Sequence, residues 1–185
     1  MKSFPMIESE EELWRKVLNG FDEEIYGVEI GCLYGDSANV ILTSSPLIHL
    51  ISIDPFIPDS MEKSLIGSYE DSVEKNKKFI TCGRYRILTD YSWNVVDNWQ
   101  KNSFDFIFLD GDHRYESILR DYNDWIPKLK VGGLLFIHDS RMSRPDGATF
   151  HKGPSQVADE YIFNNPDKWE IVAEAFSLTC AKKLK

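Results

Sequence analysis

The run FDFIFLD, residues 104–110, constrains this chain more than any other stretch. Nearly continuous apolar side chains suit a strand that is covered on both faces, as strands are inside a parallel sheet flanked by helices. The run stops at Asp110, and Gly111, Asp112 and His113 follow at once. Two carboxylates and an imidazole therefore crowd the end of a buried strand.

The remaining segments alternate between strand-like and helix-like patterns. EIYGVEIG predicts a strand over 25–30, and DSANVILTSS a helix capped by Asp36 or Ser37. LIHLISID reads as a strand over 47–54, SYEDSVEKNKKFI as a helix over 68–80, RYRILTD as a strand over 84–90 and SWNVVDNWQ as a short helix over 92–100. Beyond the buried run, Tyr115, Ile118, Leu119, Tyr122, Trp125 and Ile126 recur at three- and four-residue steps, which predicts a helix over 115–129 with one apolar face. A strand over 132–139 follows a Gly-Gly break. A helix over 155–165 then ends at Asn165-Pro166. Residues 169–182 read as two strands in a hairpin, and residues 1–24 as an N-terminal helical segment.

Such alternation makes a parallel sheet with helices on both faces the default architecture. Ligands of these sheets bind at the carboxyl ends of the strands, near the point where strand order reverses. Glu29-Ile30-Gly31, Asp54, Asp90, Asp110 and His138-Asp139 would then line one edge.

The length of 185 residues suits one domain over 1–185 with a real core. A net charge of -9 argues against a nucleic-acid partner, because phosphate binding needs a basic footprint. The three cysteines are far apart and form no CxxC, which argues against a disulfide framework or a structural zinc site. Cys32 and Cys180 read as small buried hydrophobes. MKSFPMIESEEELWRK has no apolar signal region, and no apolar run approaches a membrane span, so a soluble cytoplasmic protein is expected. The stretch SRMSRPDGATFHKGPS, 140–155, reads either as a lid or substrate loop in which Arg141, Arg144 and His151 would meet an anionic substrate, or as a solvated loop.

Four stretches carry chemistry. In VEIGCLYGDSA, Gly31 and Gly35 permit a tight turn and a close backbone approach, and the amides that open the following helix suit an anionic group. This is neither a P-loop nor the dinucleotide G-x-G-x-x-G. Asp54 ends the next strand, roughly twenty residues on, where an acid can hold ribose hydroxyls. Asp90 either faces an adenine or caps the following helix, with capping slightly ahead. Asp110 and Asp139 end what would be neighbouring strands. With His138 as a third ligand they suit a hard divalent cation such as magnesium, which would lower the pKa of a substrate hydroxyl. His113 is a candidate general base. The alternative is that Asp112 and His113 satisfy the loop and cap the helix at Tyr115; this reading is favoured for Asp112, and His113 stands between the two.

VEIGCLYGDSANVI, ISIDPF and the long stretch from Phe104 to Asp139 together resemble class I S-adenosylmethionine-dependent methyltransferases. More narrowly, they resemble the group whose fourth strand ends in Asp-Gly-Asp-His and whose fifth ends in His-Asp. That group is related to the macrocin-type sugar O-methyltransferases and, more distantly, to the catechol type. The resemblance spans about residues 25–140. It implies an α/β, Rossmann-like, doubly wound sheet of seven mostly parallel strands with an antiparallel C-terminal strand and helices on both faces. It implies that Glu29, Gly31, Cys32, Gly35 and Asp110 contact the cofactor, that Asp54 binds its ribose and that Asp90 lies near its adenine. In metal-dependent relatives magnesium is held by the acid that ends strand four and by an acidic pair that ends strand five. Asp110 and Asp139 match those positions, and His138 is a departure.

The activity implied is methylation of a hydroxyl on a small-molecule acceptor, with Asp110 and His113 catalytic and magnesium assisting. A methyl sulfonium needs no covalent help, so the protein has to align an oxygen nucleophile and deprotonate it. Two other readings stay open: a sugar-nucleotide glycosyltransferase that uses Asp110-x-Asp112 as a metal clamp, and a non-catalytic nucleoside-binding protein. Neither the acceptor nor the oligomeric state is specified, and a homo-oligomer remains open.

Overall fold

In the computed structural model, residues 2, 6–58, 66–141 and 152–185 are described. Seven strands form one sheet: β1 (Ile25–Ile30), β2 (Ile48–Ile53), β3 (Tyr85–Leu88), β4 (Phe104–Leu109), β5 (Leu129–Ile137), β6 (Trp169–Ala175) and β7 (Leu178–Lys183). Their order is β3-β2-β1-β4-β5-β7-β6. The first five strands pair in parallel, and β7 runs antiparallel to both of its neighbours. The chain steps outward from β1 to β3, then returns to start β4 against the other side of β1. The reversal therefore lies between β1 and β4.

The apolar run of β4 explains itself in this position. Phe106 and Phe108 face one layer, and Ile107 and Leu109 face the other; all four are buried. Helices α1 (Glu8–Leu18), α2 (Asp36–Ser44) and α3 (Tyr69–Thr81) cover the first face. The short α4 (Ser92–Val95) with α5 (Tyr115–Trp125) and α6 (Lys152–Ala158) covers the second. Trp14 anchors α1: it is fully buried, stacked on Phe136 at 3.8 Å between centroids and edge-on to Phe108 at 5.1 Å. Large aromatic burial of this kind is what fixes a short helix whose own propensity is marginal.

Several boundaries differ from the sequence reading, each for a physical reason. β5 begins earlier than expected, at Leu129, and Gly132-Gly133 mark an irregularity within it: the pairing with β4 shifts register there, Gly132 has φ +82°, and a β-carbon on Gly133 would lie 2.9 Å from the Asp105 carbonyl. The helix expected over 155–165 begins at Lys152 and continues as a π-helical turn over Asp159–Phe163. The helix expected over 92–100 is one α turn followed by a 3-10 turn over Val96–Asn98. The α2 cap is Gly35 in the left-handed conformation rather than Asp36 or Ser37. Those two side chains are engaged elsewhere, Asp36 with Lys75 at 2.6 Å and Ser37 with Glu29. No helix among the described residues is long and apolar enough to cross a membrane.

Candidate active site

The glycine turn and the end of β4 meet back to back at the reversal point. Gly31 has φ +91°, and a β-carbon there would lie 2.1 Å from the Asp110 carbonyl oxygen. Only glycine permits that approach. Asp54 ties the turn from β2: its Oδ2 accepts the amides of Cys32 (2.7 Å) and Leu33 (2.9 Å), and its Oδ1 accepts the amide of Phe56 (2.6 Å). Leu33 and Phe56 have φ of 50° and 52°, which is costly for residues with side chains. The Asp54 carboxylate helps to hold both in place.

Beneath the turn lies a polar network. Glu29 is fully buried and accepts the hydroxyls of Ser37 and Ser52. Tyr85 donates to Ser52 at 2.9 Å, and its hydroxyl also lies 3.4 Å from the Cys32 sulfur. Burial pushes the Glu29 carboxyl up to about 8 against the two serine hydrogen bonds, with the charges of Asp110 and Asp54 adding to the rise. Burial likewise pushes the Cys32 thiol up to about 12, so it is no thiolate nucleophile. Ser52 and Tyr85 escaped the sequence reading, because a serine or tyrosine inside an apolar segment carries no motif, and Ser37 was read only as a helix cap.

At the end of β3, Asp90 accepts the Tyr91 amide (2.7 Å) and the Asn94 side-chain amide (2.8 Å). It makes no cap to the α4 backbone, whose N-cap residue is Tyr91. The capping reading of Asp90 is thereby corrected.

Four side chains converge across β4 and β5. Leu109 pairs with Ile137, so Asp110 and His138 leave neighbouring strands side by side. His138 Nδ1 lies 3.3 Å from Asp110 and 3.4 Å from Asp139. His113 Nε2 lies 3.4 Å from Asp139 and 3.7 Å from Asp110. Burial works against ionised Asp110, but the two imidazoles outweigh it and hold the carboxyl below its ordinary value. Burial works against charged His113 as well. The nearby charges of Asp110 and Asp139 nevertheless raise it above its usual 6.5. His138 stands well above that value on the same balance, with Asp110, Asp139 and Glu10 outweighing burial.

Glu10 is the residue the sequence reading missed here. It is 2% exposed, and from α1 it reaches His138 Nε2 at 3.4 Å while accepting the Ser177 hydroxyl at 2.9 Å. Ser177, in the turn between β6 and β7, accepts from the Ser140 amide (3.0 Å) through its carbonyl. That bond fixes the chain immediately after Asp139, whose φ is +51°. A signal existed: Glu10 precedes Leu13 and Trp14 by three and four residues, so it shares their buried face.

Asp112 separates from this cluster. It accepts the Arg114 amide (3.0 Å), the Arg114 guanidinium (2.5 and 2.8 Å) and the Ser117 hydroxyl (3.0 Å). An Asp110-x-Asp112 metal clamp is therefore not formed. Arg141 is turned to Glu174 at 2.7 Å and packs over the Phe163 ring at 3.5 Å, which ties it to the protein rather than to an anionic substrate. Arg144 and His151 lie outside the described residues.

The cluster does not support the magnesium expected at Asp110, His138 and Asp139. Among the described residues no group of three or more His, Cys, Asp or Glu side chains is arranged to hold a metal ion. Both carboxylates already face imidazoles, and two imidazoles are a poor match for a cation that prefers oxygen.

Comparison with known proteins bears on the family and the fold. A family described as "Methyltransferase domain" matches residues 28–140. The uncharacterized protein R132 of Acanthamoeba polyphaga mimivirus is 27% identical over 124 residues, covering 63% of this chain and 52% of that protein. The chain thus spans about half the length of that curated relative. The cofactor-bound structure of Rv0187 from MTB superposes with a TM-score of 0.69 at 13% identity, over 100% of this chain and 84% of that one. The O-methyltransferase TomG from Streptomyces achromogenes, in complex with SAM, superposes with a TM-score of 0.62 at 14% identity, over 97% and 82%.

Proposed function

The chain belongs to the methyltransferase-domain family, and from that premise we propose that it transfers a methyl group from S-adenosylmethionine to a hydroxyl of a small-molecule acceptor. One observation carries the reading: a glycine turn with its ribose-position acid abuts the strand end where Asp110, His113, His138 and Asp139 converge. The residues present fit the cofactor, because Gly31 and Gly35, at positive φ, let the turn pack against Asp110 on one side and Ser72 and Asn76 on the other, and Asp54 keeps it shaped. Asp54 would bind the ribose, Asp90 with Tyr91 would border the adenine, and Glu29 and Cys32 would support the turn from below.

S-Adenosylmethionine supplies an electrophilic methyl group when bound. The chain supplies alignment and proton removal. Asp110 orients the acceptor hydroxyl, and His113, held between Asp110 and Asp139, takes its proton. No step runs through a metal, since the donors present do not suit magnesium. The net charge of -9 favours a neutral or cationic acceptor over a phosphorylated one or a nucleic acid.

The test is methyl transfer to a panel of hydroxylated small molecules. His113→Ala and Asp110→Ala should each lower turnover by about 10²–10⁴-fold, the range for loss of an acid–base group, with cofactor binding retained in His113→Ala. Wild-type rate should rise with pH through a value above 6.5, as His113 loses its proton. Prior treatment with a chelator should leave the rate unchanged. A rate abolished by chelation and restored by magnesium would overturn the metal-free mechanism, and failure to bind S-adenosylmethionine would overturn the function.

A further inference from the structure

Glu29 is fully buried, and none of the salt bridges among the described residues includes it. Its direct partners are two neutral hydroxyls, Ser37 on α2 and Ser52 on β2. The groups around it from the other packed elements are Cys32 in the turn, Tyr85 on β3 and the carboxylates Asp54 and Asp110. From α3, Lys75 is paired with Asp36. A buried carboxylate facing only hydroxyls and other carboxylates is expensive to ionise, and burial holds this one up to about 8.

The network nevertheless has one way out. Ser52 is fully buried, whereas Ser37 is half-buried in the first turn of α2, directly after the glycine turn. A cation settling over that turn would supply the countercharge that Glu29 lacks.

We propose that Glu29 is a charge sensor for the cofactor: it is protonated in the unliganded protein and releases that proton to solvent by way of Ser37 when a sulfonium docks over the glycine turn. The inference rests on the reading of the ligand as S-adenosylmethionine. Its consequence is discrimination between substrate and product forms of the cofactor. S-Adenosylmethionine carries one more positive charge than S-adenosylhomocysteine. Methyl transfer removes that charge and leaves Glu29 either to recapture a proton or to remain buried and uncompensated. The ionised site therefore favours the sulfonium and weakens its hold on the thioether product.

Calorimetric titration of the whole chain at about pH 7, in buffers of different ionisation enthalpy, counts protons released per ligand. S-Adenosylmethionine, and sinefungin with an ammonium in place of the sulfonium, should each release close to one proton; S-adenosylhomocysteine should release about none. The affinity ratio of S-adenosylmethionine to S-adenosylhomocysteine should climb roughly tenfold from pH 6 to 7 and flatten above about 8. Taking this ratio cancels titrations that both ligands share. Glu29→Gln should abolish the proton release and narrow the preference. If that variant fails to fold, the counts repeated on His113→Ala decide, because that variant removes the imidazole beside the reacting atoms as a second source of the proton. Binding of S-adenosylmethionine with no proton release, or equal release by S-adenosylhomocysteine, overturns the sensor and leaves the cofactor reading standing. Binding of none of the three ligands overturns the cofactor reading itself.

Discussion

At the scale of single residues, the site depends on an acid far away in the chain. Glu10 satisfies the Ser177 amide and hydroxyl through one oxygen and faces His138 through both. With Glu10 on one ring nitrogen and Asp110 and Asp139 on the other, His138 is held in its charged form. Glu10→Gln keeps the shape and removes the charge. His138 should then titrate at lower pH by NMR, and stability should fall by about 1–3 kcal/mol from the weakened buried bonds. A variant with an unmoved His138 titration would show that Glu10 does not govern the imidazole.

At the scale of elements, the site is a contact between two strand ends that only glycine allows. The turn after β1 and the end of β4 are backbone against backbone at Gly31. Gly31→Ala places a β-carbon where the Asp110 carbonyl stands, at a φ that side chains rarely adopt. Neither neighbour is a flexible side chain, so β4 has to retreat. The expected outcome is loss of S-adenosylmethionine binding, read by calorimetry, together with a lower melting temperature. Unchanged affinity in a folded variant would remove this contact from the site.

At the scale of the molecule, two apolar layers share one sheet, and an acid buried under the second layer makes stability depend on pH. Asp121 on α5 is 4% exposed and accepts the Ser92 hydroxyl from α4. Burial pushes its carboxyl up to about 7, the Ser92 bond opposing. The folded chain therefore holds a proton that the unfolded chain releases near its ordinary 3.8. This contribution is fully present below that lower value and is lost as pH rises through about 7. Asp121→Asn removes the titration, so its melting temperature relative to wild type should rise between about pH 5 and pH 8. A difference that stays flat over that range would mean Asp121 is ionised throughout.

What the sequence determined by itself is local. The period of β4, the glycine after β1, the break between strands and helices and the acids at strand ends all follow from neighbouring residues, and the parallel sheet follows from their order, whereas its antiparallel C-terminal strand was implied by the resemblance. Asp112 was also legible as a turn residue, because its partners lie two to five positions away. The tertiary structure decided whatever depends on residues distant in the chain. It brought Glu10 to His138 across 128 positions, buried Glu29 beneath the glycine turn and turned Asp110 and Asp139 toward imidazoles instead of a shared cation. Those outcomes shift the titration of Glu29, Asp110, His113 and His138. Charge in a buried site is fixed by what surrounds it in space, which no local pattern records.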